Sequence, residues 1–218
     1  MKFMGLFGKK DTSKHLGDRV WVSSKQKQDH LMADALQYLR EGNGVLLSYF
    51  FTDTGTYLSS LLKDHHVEFT ELDNVRPELE DKINLVQADS FLTQYFRDRL
   101  LPGTKELVIL FAEHYPLFKT EEKLLESLES LGSHVSFSFY NSFDDPLLTR
   151  FAVMNTTELI NNLGIKEDEM ISSPLITKAI ARVQKKIGSK VKFEIRSFSM
   201  NEWFENNIRT NDQNGKRT

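Results

Sequence analysis

The sequence contains no cysteine, and this absence excludes several kinds of chemistry. Without thiols the chain forms no disulfide, no thiolate metal site and no cysteine nucleophile. It also lacks any apolar run of the roughly 20 residues that a membrane-spanning helix needs. Its formal net charge of -3 gives no overall attraction to nucleic acid or to anionic membranes. We therefore expect a cytoplasmic protein with no nucleic-acid partner, no bound metal and no cofactor.

The chain does contain a repeated alternation of strand and helix patterns. Leu107–Phe111 is continuously apolar, which is typical of a strand covered on both faces. Leucines at helical spacing follow, between Thr120 as the predicted N-cap and Gly132 just past the helix end. Alternating phenylalanines and serines then indicate another strand. Similar patterns extend over residues 20–151, so the sequence predicts a three-layer, doubly wound α/β domain with a mostly parallel sheet.

We divide the chain into four parts. Residues 1–19 are an N-terminal segment, predicted to be flexible or packed on the domain, with weak peripheral membrane contact as the less favoured alternative. Residues 20–155 form the α/β domain. Residues 156–198 form a C-terminal extension in which Lys190–Phe198 locally favours a strand, although continuation of the preceding helix stays open. Residues 199–218 are predicted to be a polar, partly disordered tail.

Candidate site residues are few, and none is predicted to be catalytic. Asp53, Thr54 and Thr56 follow a predicted strand and open a helix, where backbone N–H groups attract anions. They are weak candidates for a phosphate site, and ordinary helix capping by Asp53 or Thr54 is the favoured interpretation. A core role is favoured for the aromatic residues Phe91, Tyr95 and Phe96. Structural or solvent-exposed roles are favoured for the remaining polar candidates: Asp64, His65, His66, Glu113, His114, Asp144 and Asp145.

One helix carries a more specific signal. It begins at Pro174. Ile176 is followed directly by Thr-Lys-Ala-Ile-Ala, which ends at Ala181, and Gln184 is followed by two lysines. This pattern resembles a helix of SecA, the motor ATPase of preprotein translocation, that leads from the second RecA-like lobe into the helical scaffold. Weaker similarities in the same order extend the resemblance over roughly residues 20–198. They include Val45, Leu46, Leu58, Ser59, Leu61, Leu62, Glu113, His114, Phe139, Tyr140, Ser142, Asp144, Asp145, Leu147 and Phe151.

The resemblance implies a RecA-like fold of the helicase and translocase type, but the residues that would handle ATP differ. No Gly-Lys-Ser/Thr loop is present to hold the β- and γ-phosphates, and no acidic pair follows a strand to hold magnesium. Where the family has a glycine-rich charged motif, this chain has the bulky segment Ser90–Phe96. No arginine occurs between Arg99 and Arg150, so this lobe offers no arginine finger. We therefore predict that the chain is not an ATPase.

Our leading hypothesis is a non-enzymatic, SecA-like domain that acts through protein–protein contacts, either with a partner linked to protein secretion or by self-association. The alternative is a nucleotide-dependent switch or an ATPase half-site completed by a partner lobe. Nucleic-acid binding is the third class, and the acidic balance and the lack of a basic stripe argue against it. The predicted contact residues lie in the C-terminal extension and tail: Leu175, Lys178, Arg182, Lys185, Trp203 and Phe204.

Overall fold

The computed structural model describes residues 12–72, 81–100, 105–151, 169–172 and 174–208. Within these residues the fold centres on one six-stranded sheet with the strand order β1-β6-β5-β2-β4-β3. Every strand pairing in this sheet is parallel. The strands are β1 (Lys14–Trp21), β2 (Gly44–Tyr49), β3 (Phe69–Leu72), β4 (Ile83–Gln87), β5 (Leu107–Phe111) and β6 (Val135–Ser142).

Helices cover both faces of the sheet. They are α1 (Ser24–Arg40), α2 (Thr52–Asp64), a 3₁₀ helix (Ala88–Leu92), α3 (Gln94–Leu100), α4 (Phe118–Glu129), α5 (Pro146–Phe151), α6 (Pro174–Gly188) and α7 (Met200–Asn207). No described helix is long and apolar enough to cross a membrane.

The apolar pattern of β5 explains the three layers. Ile109 and Phe111 pack in one buried cluster with the 3₁₀ helix, α3 and α4. Val108 and Leu110 face the opposite way and pack in a second cluster with α1 and α2. Because successive side chains of a strand point to opposite faces, a continuously apolar strand needs cover on both sides. The predicted three-layer, doubly wound α/β architecture is confirmed.

A third apolar cluster attaches the C-terminal extension, which in the structure also includes α7, to the sheet. Phe51, Tyr115 and Leu147 follow β2, β5 and β6, so they mark the carboxyl edge of the sheet. Helices α6 and α7 fold back over this edge. They contribute the other buried members of the cluster: Ile180, Val183, Ile187, Met200, Trp203 and Phe204.

Several predictions at the two ends of the chain are wrong. The segment 1–19 contains most of β1, which pairs with β6 at the sheet edge. The predicted polar tail begins with α7, whose Trp203 and Phe204 are buried. Residues 190–198 form neither a strand nor a continuation of α6. Instead, the Asn207 side chain accepts from the N–H of Ile195 at 2.7 Å and donates to its C=O at 2.8 Å, so it takes the place of a strand partner.

Local capping predictions also need correction. The helix α4 begins at Phe118, so Thr120 lies within its first turn and is not the N-cap. The helix α2 begins at Thr52, which places Asp53 and Thr54 inside the helix. Gly132 follows α4 with a φ of 94°, as predicted for a glycine that ends a helix. Residues 156–168 at the start of the C-terminal extension and the segments 1–11 and 209–218 lie outside the described residues.

Candidate functional site

A cleft of about 310 Å³ lies at the carboxyl edge of the sheet. In parallel α/β sheets this edge, near the point where the strand order reverses, is the usual place for a ligand. Residues from α1, α2, the end of β5, the turn before α5 and the start of α7 line the cleft. The polar ones include Ser24, Lys27, Asp53, Thr54, Tyr57, Glu113, Asp145 and Asn201.

Glu113 is a buried carboxyl group in this cleft. One of its oxygens, Oε1, accepts hydrogen bonds from the backbone N–H groups of Phe50 and Phe51, both at 3.0 Å. The other, Oε2, accepts from the Thr54 hydroxyl at 2.8 Å. Burial raises the pKa of Glu113 to about 7, although the hydrogen bonds from Phe51 and Thr54 act in the opposite direction. The carboxyl group therefore occupies the position where β2 leads into α2.

The remaining polar groups at the start of α2 also have partners within the chain. The Asp53 N–H donates to the Phe198 carbonyl at 3.2 Å, and the Thr54 N–H donates to Asp53 Oδ1 at 2.7 Å. The Thr56 hydroxyl donates to the Thr52 carbonyl at 2.9 Å. The chain's own acceptors already take these donors, and the weak anion site at Asp53, Thr54 and Thr56 stays a prediction.

Lys27 and Asp145 form the other side of the cleft. Their Nζ and Oδ1 atoms lie 2.6 Å apart. Asp145 also accepts from the Ser142 N–H at 2.8 Å, and Asp144 accepts from the Ser24 N–H at 2.8 Å. These contacts hold the turn after β6 against the start of α1. The structural role predicted for the two adjacent aspartates is confirmed.

Comparison with known proteins shows which curated proteins the chain resembles in sequence. Two curated protein translocase subunits SecA, from Clostridium perfringens strains ATCC 13124 and 13, are each 27% identical to it over 190 residues. The chain is SecA-like. The alignment covers 82% of this chain and 22% of either relative, so the chain spans about a fifth of their length and the relationship is partial and distant. No family model matches the chain.

Two solved structures show weaker likeness. The C-terminal domain of a possible DNA helicase from Lactobacillus plantarum WCFS1 has a TM-score of 0.42 at 15% identity, with coverage of 64% of this chain and 80% of that one. The C-terminal part of the Fun30 ATPase domain has a TM-score of 0.42 at 10% identity, with 73% and 54% covered. The fold assignment rests on the parallel sheet and its two helical layers. Together with the SecA relationship, that architecture agrees with the predicted RecA-like class.

In this SecA-like chain the segment after β4 is filled with aromatic rings. Phe91 and Phe96 are fully buried and meet edge to face with ring centres 5.4 Å apart. Phe91 also lies 6.0 Å from the ring of Phe111 on β5. The predicted core role of these two residues is confirmed. Tyr95 is a correction, because it is half exposed and lies under the Arg99 guanidinium.

A buried charged network, which the sequence did not predict, connects β1, the end of β5 and α4. His114 Nδ1 lies 2.9 Å from both carboxylate oxygens of Glu121, and its Nε2 lies 3.6 Å from Asp18 Oδ1. Burial alone would lower the pKa of His114, but Glu121 and Asp18 outweigh burial and raise it to about 10. Burial acts to raise the pKa of Asp18, but His114 and His15 outweigh it and hold the pKa below its ordinary value. With its pKa raised, His114 lies in this network as an imidazolium between two carboxylates, Asp18 and Glu121.

The other predicted candidates lie on separate helices. Asp64, His65 and His66 are exposed at the end of α2, in agreement with their predicted solvent-facing role. Leu175, Lys178, Arg182 and Lys185 are exposed on α6. Trp203 and Phe204 are buried in the third apolar cluster, so the prediction that they offer an exposed contact surface is wrong.

Proposed function

We propose that this chain is a non-enzymatic SecA-like domain that has lost ATP binding and acts through contacts with other proteins. The observation that carries the proposal is the position of Glu113. A helix N-terminus after a parallel strand favours phosphate because its N–H groups point at the ligand. In this chain the Glu113 carboxyl group accepts from the amides of Phe50 and Phe51 and from Thr54.

A phosphate at this position would have to displace an internal acceptor. Its negative charge would also repel the charged form of the buried Glu113 carboxyl group, so Glu113 would have to hold a proton to accommodate it. The absence of a Gly-Lys-Ser/Thr loop in the sequence and the buried rings of Phe91 and Phe96 support the same proposal. The domain architecture is retained while the groups suited to a nucleotide are replaced.

Exposed apolar side chains in the C-terminal extension support a contact role. Phe193 is 89% exposed, Phe198 is 56% exposed and Ile195 is 54% exposed. Large apolar residues of this kind, clustered along one short segment, are typical of interaction sites. Because the curated relatives are protein translocase subunits, we propose that the partner belongs to the secretion machinery.

The ATP part of the proposal is tested by thermal unfolding of the intact chain with and without millimolar ATP and magnesium. A nucleotide present at about 100 times its Kd would stabilise the folded chain by about 2.7 kcal/mol, which is readily measured as a rise in Tm. We expect no change in Tm. A saturable rise would contradict the proposal and favour the alternative of a nucleotide-dependent switch.

The contact part is tested by affinity capture with the wild-type chain and with Phe193→Ser/Phe198→Ser. Both side chains are mostly exposed, so the variant is expected to stay folded. We expect the wild type to retain a defined partner that the variant loses. Equal capture by both chains, or no capture together with a monomeric mass in solution, would count against the proposal.

A further inference from the structure

Helix α6 has a buried face and an opposite, basic face. Ile180, Val183, Gln184 and Ile187 point into the fold. Lys178, Arg182, Lys185 and Lys186 are exposed, and their spacing of three, four and eight residues places them on the outward side. We call these four residues the basic ridge.

The ridge belongs to a segment whose charge is opposite to that of the rest of the chain. Residues 174–198 contain Glu194 as their one acidic residue and seven basic ones: Lys178, Arg182, Lys185, Lys186, Lys190, Lys192 and Arg196. The segment carries +6, and since the whole chain carries -3, the remainder carries -9. The prediction that the chain lacks a basic stripe is therefore wrong, because the net charge of the whole chain conceals this local excess of positive charge.

The fold holds the ridge in one position. The Gln184 amide donates to the Tyr115 carbonyl at 2.8 Å in the interior. Lys185 Nζ lies 4.0 Å from the centre of the Phe118 ring on α4, in a cation–π contact. Because the helix is anchored on its inner side, a ligand that docks on the outer side orders little of the chain on binding.

We propose that the basic ridge docks a short acidic segment of a protein partner; this inference rests on the proposed contact function. Lys178 and Lys186 are eight residues apart, which corresponds to about 12 Å along a helix. A segment with a few carboxylates matches this length. Leu175 lies one turn before Lys178 and is 74% exposed, so it offers an apolar contact at one end of the ridge.

The charge of the remaining chain favours a short segment over an extended polyanion. Charges interact across roughly 8–10 Å at ordinary ionic strength. A membrane surface or a long nucleic acid extends well beyond the ridge and meets the part of the chain that carries -9. A short acidic segment avoids this repulsion. Acidic protein is therefore favoured over the other two anionic partners.

The direct test uses a fluorescein-labelled synthetic peptide of about ten residues that contains several glutamates and aspartates and one leucine. Its anisotropy is followed during titration with the intact wild-type chain, with Lys178→Glu/Arg182→Glu and with Lys25→Glu/Arg40→Glu. The control pair lies on α1, is exposed and changes the net charge by the same amount. We expect the ridge variant to weaken binding by about tenfold or more and the control to change it by less than about twofold.

A second variant and the salt dependence make the result specific. Lys178→Gln/Arg182→Gln removes the two charges without adding repulsion. It should also weaken peptide binding, and the Kd of this variant should depend less on salt than the Kd of the wild type. Circular dichroism of each variant checks that the fold is kept. Equal binding by the ridge and control variants would overturn the inference.

Two further titrations separate the possible anionic partners. They use a single-stranded RNA oligonucleotide and vesicles that contain phosphatidylglycerol, with the same three chains. Ridge-dependent binding of either one that is tighter than binding of the peptide would overturn the choice of an acidic protein segment. If the partner captured through Phe193 and Phe198 is retained by the ridge variant, this inference fails while the proposed contact function stands.

Discussion

At the scale of single residues, Glu113 decides how the cleft is interpreted. Three donors converge on its carboxyl group, which favours the charged form, yet full burial raises its pKa to about 7. A carboxyl group in solution has a pKa near 4.5. The folded chain therefore binds a proton at Glu113 more tightly than the unfolded chain does, and protonation of this residue stabilises the fold.

The substitution Glu113→Gln tests this linkage. Between about pH 4.5 and pH 7 the unfolded chain has lost the proton that the folded chain keeps, so the stability of the wild type falls as pH rises through this window. Glutamine does not titrate and should lack this loss. We expect the difference in unfolding free energy between the two chains to change by about 2–3 kcal/mol from pH 5 to pH 8, in favour of the variant at high pH.

Urea unfolding at several pH values measures this difference. Glu122→Gln is a suitable control, since Glu122 is exposed on α4 and should leave the pH profile of the wild type unchanged. A difference between wild type and Glu113→Gln that does not vary with pH would show that Glu113 keeps an ordinary pKa.

At the scale of elements, α7 is a short helix whose contribution is concentrated in two rings. Phe204 is 1% exposed and packs in the third apolar cluster, whereas Phe193 is 89% exposed in the segment before the helix. The same substitution at the two positions separates packing from surface effects. We expect Phe204→Ala to destabilise the chain by about 3–5 kcal/mol and Phe193→Ala by less than about 0.5 kcal/mol.

Chemical denaturation of both variants gives the comparison directly. A small decrease in the unfolding free energy of Phe204→Ala would mean that α7 adds little to the stability of the fold. A large decrease in the unfolding free energy of Phe193→Ala would mean that the Phe193 ring is packed in solution. That result would weaken the assignment of Phe193 to a contact surface.

The elements differ in how far the sequence predicted them. Strands β2 and β5 were predictable because both faces are buried and the apolar run is continuous. Strand β1 was missed, since its first residues are exposed and its pairing with β6 is irregular near Gly17, which has a φ of 97°. Helix α7 was missed because its polar residues outnumber the two rings that it buries.

The candidate site was predictable only in part, for a similar reason. Asp53, Thr54 and Glu113 were all recognised as polar groups beyond predicted strands. Their mutual contact was not, because it joins residues about 60 positions apart and depends on β2 and β5 being neighbours in the sheet. Chain order alone does not specify which strands pair, so local patterns could not show that one candidate would fill the site of the others.

At the scale of the whole molecule, the third apolar cluster makes the sheet and the C-terminal extension depend on each other. Trp21 and Trp203 report on the two parts separately. Trp21 is buried at the end of β1, with its ring 5.3 Å from that of Tyr140. Trp203 is buried in α7, and its Nε1 donates to Glu194 at 2.9 Å. Each tryptophan thus senses a different region of one fold.

Because these are the only two tryptophans, Trp21→Phe and Trp203→Phe each leave one fluorescent reporter. We expect the fluorescence transition of either variant in urea to coincide with its own transition by far-ultraviolet circular dichroism, since the shared cluster couples the extension to the sheet. Because both transitions are measured on the same variant, any loss of stability caused by the substitution affects them equally. If Trp203 fluorescence changed at a lower urea concentration than circular dichroism, the extension would open independently of the sheet. The basic ridge on α6 would then lack the rigid support that its proposed docking role requires.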